Sequence, residues 1–174
     1  MSQIGLAPKV GGFSHLSLPC RDLSEAKEFF TEVLGAEVIL ERRDSPFVEV
    51  VLGGVIIGLS QQPGGWTAAE AEFPHYAFYI DAANLLPLKE RLESFAIPTH
   101  PPYTRNRKEA LMYFRDPSGN LLEFYCSEGF KGVENLPIAR AVGGTYTVDF
   151  KALNYTYWRR PSLTKGADSQ SATT

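Results

Sequence analysis

The chain has 174 residues, of which 44% are hydrophobic and 21% charged, and its formal net charge is −3. This composition is typical of a globular protein, and the small negative charge argues against nucleic acid and membrane surfaces as partners. No basic leader precedes an apolar run, and no run approaches the roughly 18 residues of a membrane helix, so we expect a cytoplasmic protein. The two cysteines, Cys20 and Cys126, have no metal-binding or redox spacing, and we expect reduced thiols.

The first strand is predicted at residues 13–18, after residues 1–12, which carry no pattern and are expected to form a flexible arm. Residues on a strand alternate between its two faces, so His15 and Ser17 share one face. Neither face is uniformly apolar. The strand therefore offers an imidazole and a hydroxyl on the same side of a sheet.

A helix and three further strands follow. Asp22 or Ser24 can cap the helix, and Gly35 ends it. The strands are predicted at residues 37–41, 47–52 and 55–59. The region 13–60 is thus predicted to form one β-α-β-β-β module.

The pattern restarts after residues 61–72, a Gly- and Ala-containing segment that we interpret as a linker. A strand at 73–80 carries His75, and Asn84 can cap the helix that follows. The region 73–127 is therefore predicted to form a second β-α-β-β-β module.

The second module ends in a hairpin, residues 111–126, whose two apolar strands are joined by a turn containing Pro and Gly. Glu123 lies within the second strand among aliphatic and aromatic neighbours, where a carboxylate requires a cation, a donor or a proton. Gly54 precedes Gly58 by the same interval that separates Gly119 from Glu123. This register indicates that the two modules are duplicated halves of one fold.

Residues 128–160 form a C-terminal extension beyond the duplicated unit. Within it, residues 145–150 have strand composition, and residues 153–158 could pair with them. The last residues, 161–174, are small and polar and are expected to be disordered.

His15, His75 and Glu123 are the candidate metal ligands. Two imidazoles and one carboxylate bind a divalent metal and leave coordination positions open, and Mn²⁺, Fe²⁺ and Zn²⁺ all suit this set. A single histidine on a strand is more often a hydrogen-bonded structural residue. The two histidines, however, occupy matching positions in the two modules. This match favours a role as metal ligands, with one divalent metal ion per site.

The motifs resemble those of the vicinal oxygen chelate superfamily, which includes glyoxalases, bleomycin-resistance proteins, fosfomycin-resistance thiol transferases and extradiol dioxygenases. The resemblance covers residues 11–127 and rests on three motifs, His-Leu-Ser-Leu at 15–18, His-Tyr-Ala-Phe at 75–78, and the hairpin sequence at 113–123. It implies an α+β fold in which two βαβββ modules form a curved mixed sheet around a metal site. It also implies a small-molecule substrate and a homodimer, whose metal site in many relatives combines modules from two subunits.

The departures from the motifs separate the branches of the superfamily. A glyoxalase-type site has a fourth, glutamate ligand near the position of Gly58, where no ligand is available. Extradiol dioxygenases share the ligand set and a tyrosine at the position of Tyr113, but Thr104 and Asn106 stand in the region of an expected acid–base histidine, and His100 is displaced from it. The pattern is closest to the thiol transferases, which have a hydroxyl residue at the position of Ser17.

We therefore expect a metal-dependent enzyme with thiol-transferase or isomerase/lyase-like chemistry. The alternatives are an extradiol-type ring-cleaving dioxygenase and a non-catalytic, bleomycin-resistance-like binding protein. Tyr113 and Ser17 are the candidate catalytic residues. The candidate substrate-binding residues are Arg105, Arg107, Tyr79, Tyr125 and His100, of which the arginines suit an anionic group.

Overall fold

The computed structural model describes residues 13–42, 45–62 and 72–164. The first module consists of four strands and one helix, which are β1 (His15–Cys20), α1 (Leu23–Glu28), β2 (Glu37–Glu41), β3 (Phe47–Leu52) and β4 (Val55–Gln61). The strands form one sheet in the order β1-β4-β3-β2, in which β1 runs parallel to β4 and the other pairs are antiparallel. The predicted bounds of β2 and β3 are confirmed.

Helix α1 begins where the sequence provides a cap. A carboxylate oxygen of Asp22 accepts a hydrogen bond from the Glu25 main-chain N–H at 2.7 Å, so Asp22 and not Ser24 is the capping residue. The helix continues as a π-helical turn from Phe29 to Val33. Gly35 follows with φ of 75°, a left-handed conformation that glycine adopts without strain.

The second module repeats this arrangement with three strands and one helix, β5 (Tyr76–Tyr79), α2 (Leu85–Ser94), β6 (Ala110–Arg115) and β7 (Leu121–Cys126). Its strand order is β5-β7-β6, with β5 parallel to β7 and β6 antiparallel to it. The strand that would match β2 is reduced to a single bridge between Tyr103 and Leu111. The strand predicted from residue 73 begins only at Tyr76, after Pro74, which has no N–H to donate to a ladder.

The two modules share one register. Ile57 of β4 and Leu122 of β7 are separated by the same number of residues as Gly54 and Gly119. Each pairs in parallel with the first strand of its own module, Ile57 with Leu16 and Leu122 with Tyr76. The predicted α+β class and the duplication are therefore confirmed. The strands form two sheets, of four and three strands, whose inner faces share one apolar core. Its central members are Phe29, Phe30, Ile57, Leu85, Met112, Phe114 and Phe124.

The C-terminal extension contains turns in place of the strands predicted at residues 145–150 and 153–158. Tyr146 forms an isolated bridge with Ala139, and the chain then turns because Asp149 accepts hydrogen bonds from the N–H groups of Lys151 and Ala152. Pro161–Thr164 form a short helix, α3.

Several predictions lie on residues outside the described ranges. They are the flexible arm at 1–12, most of the linker at 61–72, and the tail from residue 165 onward. Within the described ranges, no helix has both the length and the apolar character needed to cross a membrane.

Candidate metal centre

Glu123 lies at the middle of the second sheet, on β7 between β5 and β6. Only 2% of its side chain is exposed, and its Oε2 atom lies 3.0 Å from Nε2 of His75. The other carboxylate oxygen, Oε1, is buried and has no hydrogen-bond partner among the residues that the structure describes. A buried carboxylate oxygen without a donor is costly, so this atom is suited to a cation.

His75 immediately precedes β5, and its ring is oriented by the main chain. Its Nδ1 lies 2.8 Å from the carbonyl oxygen of Glu72. A carbonyl oxygen only accepts, so Nδ1 carries a proton, and in the neutral ring the lone pair is on Nε2, which faces Glu123. Two acceptors at this distance require a proton or a metal ion between them. The hydrogen bond to Glu123 raises the pKa of His75, and burial opposes this effect.

The pair fits a divalent metal. Two ligands at right angles, each about 2.1 Å from a metal, are about 3 Å apart, and the two facing atoms of His75 and Glu123 are 3.0 Å apart. An imidazole nitrogen with a carboxylate suits Mn²⁺, Fe²⁺ or Zn²⁺. The bond from His75 to the carbonyl of Glu72 is the kind of outer contact that orients metal-binding histidines.

The third predicted ligand, His15, does not lie with this pair in the chain. His15 and Ser17 are on the exposed face of β1 in the first sheet, and the His15 Nδ1 atom is 3.2 Å from the Ser14 hydroxyl. Within the described ranges, no group of three His, Cys, Asp or Glu side chains could hold a metal ion. Intramolecular packing therefore brings together two of the three predicted ligands.

Tyr113 stands opposite Glu123 in the ladder between β6 and β7. Its side chain is fully buried, its ring packs edge-on against His75 with 5.2 Å between centroids, and its hydroxyl donates to Oε1 of Glu72 at 3.1 Å. Burial, together with the nearby charge of Glu123, raises the pKa of Tyr113. The hydroxyl therefore stays protonated and can act as a hydrogen-bond donor.

A cavity of about 270 Å³ opens beside the pair. Tyr79, Tyr125 and Arg105, three of the predicted substrate-binding residues, line it together with His75 and Glu123. The two tyrosine rings meet edge-to-face at 5.4 Å, and the Arg105 guanidinium lies 5.9 Å from the centre of the Tyr125 ring. The cavity thus combines the candidate metal-binding pair of His75 and Glu123, an aromatic wall and a cation.

Two other predicted substrate-binding residues lie elsewhere. The Nε2 atom of His100 accepts a hydrogen bond from the Tyr113 main-chain N–H at 2.9 Å, and its Nδ1 is 2.8 Å from the Pro101 carbonyl. Burial lowers the pKa of His100. Nε2 thus holds β6 in place, and Nδ1 is bonded to the adjacent main chain. The Arg107 guanidinium donates to the Glu134 carbonyl at 2.7 Å and does not line the cavity.

Glu72 was missed in the sequence because it falls in the segment interpreted as a linker. Its carbonyl orients His75 and its carboxylate accepts from Tyr113. No local pattern marks such a residue, since both partners depend on how the second sheet folds.

The position of Gly58 provides no fourth metal ligand, as the sequence predicts. A Cβ there would lie 2.9 Å from the Phe47 ring, so this position has no room for a larger side chain.

Several known proteins resemble this chain in sequence. The sequence profile of the Glyoxalase/Bleomycin resistance protein/Dioxygenase superfamily matches residues 12–124. A glutathione transferase, FosA of Serratia marcescens, is 30% identical over 115 residues, which are 64% of this chain and 78% of FosA. The fosfomycin resistance protein FosX of Listeria innocua is 27% identical over 122 residues, which are 67% of this chain and 90% of FosX.

The fold is also found in solved structures. FosX of Listeria monocytogenes superposes with a TM-score of 0.61 at 22% identity, over 68% of this chain and 94% of that chain. Another structure of that protein contains Mn(II) and 1S,2S-dihydroxypropylphosphonic acid. Lactoylglutathione lyase of Agrobacterium tumefaciens superposes with a TM-score of 0.55 at 25% identity, over 68% of this chain and 95% of that chain.

Proposed function

This chain belongs to the Glyoxalase/Bleomycin resistance protein/Dioxygenase superfamily, and from that premise we propose that it is a metal-dependent enzyme acting on an oxygen-bearing small molecule. The observation that carries the proposal is the pair of His75 and Glu123, whose facing atoms are 3.0 Å apart in a cavity of about 270 Å³. A bound divalent metal would polarise an oxygen atom of the substrate. The retained ligand pair argues against a purely ligand-sequestering protein.

Arg105 and Tyr113 supply the groups that this chain adds to the metal. The guanidinium of Arg105 lies at the cavity wall and is suited to an anionic substrate group. Tyr113 keeps its proton, which it donates to Glu72 in this structure, and it would redirect this hydrogen bond to a substrate oxygen on which negative charge develops. Tyr79 and Tyr125 form an aromatic wall on one side of the cavity.

Addition of a thiol to the polarised substrate is the chemistry we place first, with isomerase- or lyase-like chemistry second. The relative FosA is a glutathione transferase, and a lactoylglutathione lyase shares the fold. The dioxygenase alternative needs an acid–base histidine beside the metal. His100, the only remaining histidine of the chain, has both ring nitrogens hydrogen-bonded within its own part of the structure.

We further propose that a second copy of the chain supplies His15, and with it Ser17, in a homodimer. Both side chains lie on an exposed face of β1, where they are available to another molecule. His75 and Glu123 form an incomplete ligand set, which a second imidazole would complete. The metal would then have two imidazoles, one carboxylate and open positions for the substrate.

The first test is Mn(II) binding by the chelator-treated protein, measured by electron paramagnetic resonance and elemental analysis. Wild type should bind one equivalent per chain, and Glu123→Gln should bind at least about tenfold more weakly. Glu128→Gln is the matched control, because Glu128 is exposed near the end of the same strand. If folded wild type takes up no Mn²⁺, Fe²⁺ or Zn²⁺, the enzyme proposal fails.

The dimer is tested by mixing two inactive variants, His15→Gln and Glu123→Gln, after partial unfolding and refolding. A mixed dimer has one intact site if His15 comes from the partner, and Mn(II) binding should return in the mixture. If all three ligands come from one chain, every site in the mixed dimer lacks one ligand, and Mn(II) binding does not return. Light scattering gives the oligomeric state of each sample.

Turnover is then measured with the metal-loaded protein against epoxides and α-ketoaldehydes, each with and without glutathione. Consumption of thiol with an epoxide would support the transferase proposal. Oxygen uptake with catechols would instead identify a dioxygenase and overturn it.

A further inference from the structure

The C-terminal extension packs on the sheet face that carries the metal-binding pair. Leu111 and Tyr113 of β6 and Leu121 of β7 form a second apolar cluster with Val148 and Leu153 of the extension. Because side chains alternate along a strand, Glu123 shares the face of Leu121. The extension lies beyond residue 124, where the match to the superfamily ends, so this chain builds part of its site from a segment of its own.

Hydrogen bonds anchor the extension along its length. The Thr104 main-chain N–H donates to the Pro137 carbonyl, and the Ala139 N–H donates to the Thr104 carbonyl, both at 2.9 Å. Further along, the Tyr155 hydroxyl donates to the Arg115 carbonyl at 2.9 Å. The extension is therefore attached to the second module by hydrogen bonds and forms part of its surface.

Between the extension and the second module lies a cavity of about 300 Å³ that sequence reasoning did not anticipate. Its sides are largely aromatic and aliphatic, because Tyr103, Tyr146, Val148 and Phe150 line it. Glu72, whose carboxylate accepts from Tyr113, lines it as well. The Tyr103 and Tyr146 rings lie 5.3 Å apart and tilted by 35°. A planar apolar group would fit such walls.

Arg105 joins this cavity to the metal-binding pair. Among the residues that the structure describes, it alone lines both the extension cavity and the cavity beside His75 and Glu123. Arg140, from the extension, adds a second guanidinium to the lining. A ligand that spans the two cavities must therefore pass the guanidinium of Arg105, which lies 3.7 Å from the buried carboxylate of Glu109.

We propose that the extension cavity is a subsite for the apolar arm of an anionic substrate, whose acid group is held by Arg105 between the two cavities. The class of ligand is an aryl carboxylate or phosphonate. The proposal rests on the proposed function only for the reacting end of the substrate, which would lie at His75 and Glu123. The subsite itself can be measured without metal.

The test uses 2-naphthoate as the probe, with acetate and 2-naphthol as probes that keep only its charge or only its ring. Calorimetry on chelator-treated full-length protein should give an affinity for 2-naphthoate at least about tenfold higher than for either matched probe. Equal affinities for 2-naphthoate and acetate would overturn the proposal, because the apolar cavity would then contribute nothing.

Substitutions test whether 2-naphthoate binds in the extension cavity. Ala141→Trp puts a bulky side chain at an exposed lining position and should weaken 2-naphthoate binding at least about tenfold, whereas Val142→Trp, exposed but outside the lining, should leave it unchanged. Arg105→Gln should lower the affinity for 2-naphthoate without changing that for 2-naphthol. Lys108→Gln is the charge-matched control in the same loop.

The outcomes separate this proposal from the metal site. Normal 2-naphthoate binding with no Mn(II) uptake would refute the proposed function and leave the subsite intact. Mn(II) uptake with equal 2-naphthoate binding by Ala141→Trp and Val142→Trp would refute the subsite alone.

Discussion

The imidazole of His75 donates its Nδ1 proton to the main-chain carbonyl of Glu72 across 2.8 Å, and this bond leaves Nε2 to face Glu123. The carboxylate of the same Glu72 accepts the hydroxyl proton of Tyr113 at 3.1 Å. One residue thus orients the metal-binding imidazole through its main chain and the candidate donor through its side chain. Disturbing either contact should affect a different property of the site.

Removing the Tyr113 hydroxyl should affect turnover more than metal binding. Tyr113→Phe loses one hydrogen bond to Glu72, and we expect a stability loss of about 1 kcal/mol. Mn(II) content should not change, because Tyr113 is not a proposed ligand. The kcat for the best substrate of the panel should fall about 10²-fold, the usual cost of losing one donor to a developing oxyanion.

The control for this variant is Tyr157→Phe, whose side chain is 68% exposed. Steady-state kinetics and elemental analysis are run on all three proteins. A Tyr113→Phe protein with unchanged kcat would show that Tyr113 only supports the fold.

The stability of the metal-free protein should depend on pH through His75. Its pKa is raised above the ordinary value of 6.5, chiefly by the hydrogen bond to Glu123. A raised folded pKa means that the pair contributes its full stability below the unfolded pKa and loses it as pH rises through the folded pKa. Chelator-treated wild type should therefore exceed Glu123→Gln in free energy of unfolding by more at about pH 6 than at about pH 9.

Urea denaturation at the two pH values measures this difference. His15→Gln serves as the control because it removes an imidazole from an exposed face of β1. An equal difference between wild type and Glu123→Gln at both pH values would contradict the pairing. Proton competition should also weaken Mn(II) binding as pH falls.

Asn120 ties the turn of the β6–β7 hairpin to the first module. Its side-chain amide donates to the Pro19 carbonyl at 2.9 Å and to Oδ2 of the buried Asp116 at 2.7 Å. Asn120→Ala leaves both acceptors without this donor, and we expect a loss of about 2–4 kcal/mol in the free energy of unfolding. The exposed Asn135→Ala should cost less than about 0.5 kcal/mol, and equal losses would show that the bridge to Pro19 contributes nothing.

Local sequence patterns were sufficient to predict most of the fold. The bounds of β2 and β3, the cap at Asp22 and the register of the duplication all follow from periodicity and turn residues. Each of these features depends on contacts within one module. The predicted strands at residues 145–150 and 153–158 were wrong. The chain turns at Asp149, and the side chains of Val148 and Leu153 pack on β6 and β7.

The site could be predicted where a repeat or an unusual neighbour pointed to it. His75 was found because the duplication aligns it with His15, and Glu123 because a carboxylate among apolar neighbours needs a partner. The structure brings the two together. Glu72 and the extension cavity depend on contacts between segments distant in sequence, with no motif to mark them. In the proposed dimer, the place of His15 would depend on how a second copy packs, which the intramolecular pattern does not encode.

The end of the extension is anchored in the main apolar core. This anchoring determines how rigidly the extension forms one wall of the extension cavity. Trp158 is 2% exposed, its indole N–H donates to Oε1 of Glu25 at 2.7 Å, and its ring lies 6.0 Å from that of Phe29. Trp158→Ala should therefore cost about 3–5 kcal/mol of unfolding free energy, whereas the exposed Tyr157→Ala should stay within about 0.5 kcal/mol of wild type.

Urea denaturation followed by near-ultraviolet and far-ultraviolet circular dichroism distinguishes global from local effects. If the extension folds as part of the whole, Trp158→Ala shifts both transitions together. If it were a loosely attached segment, the substitution would leave the global transition of wild type in place. Only the first result is compatible with a wall rigid enough to shape a substrate cavity beside Arg105, because a wall that opens independently would exchange its apolar lining for water.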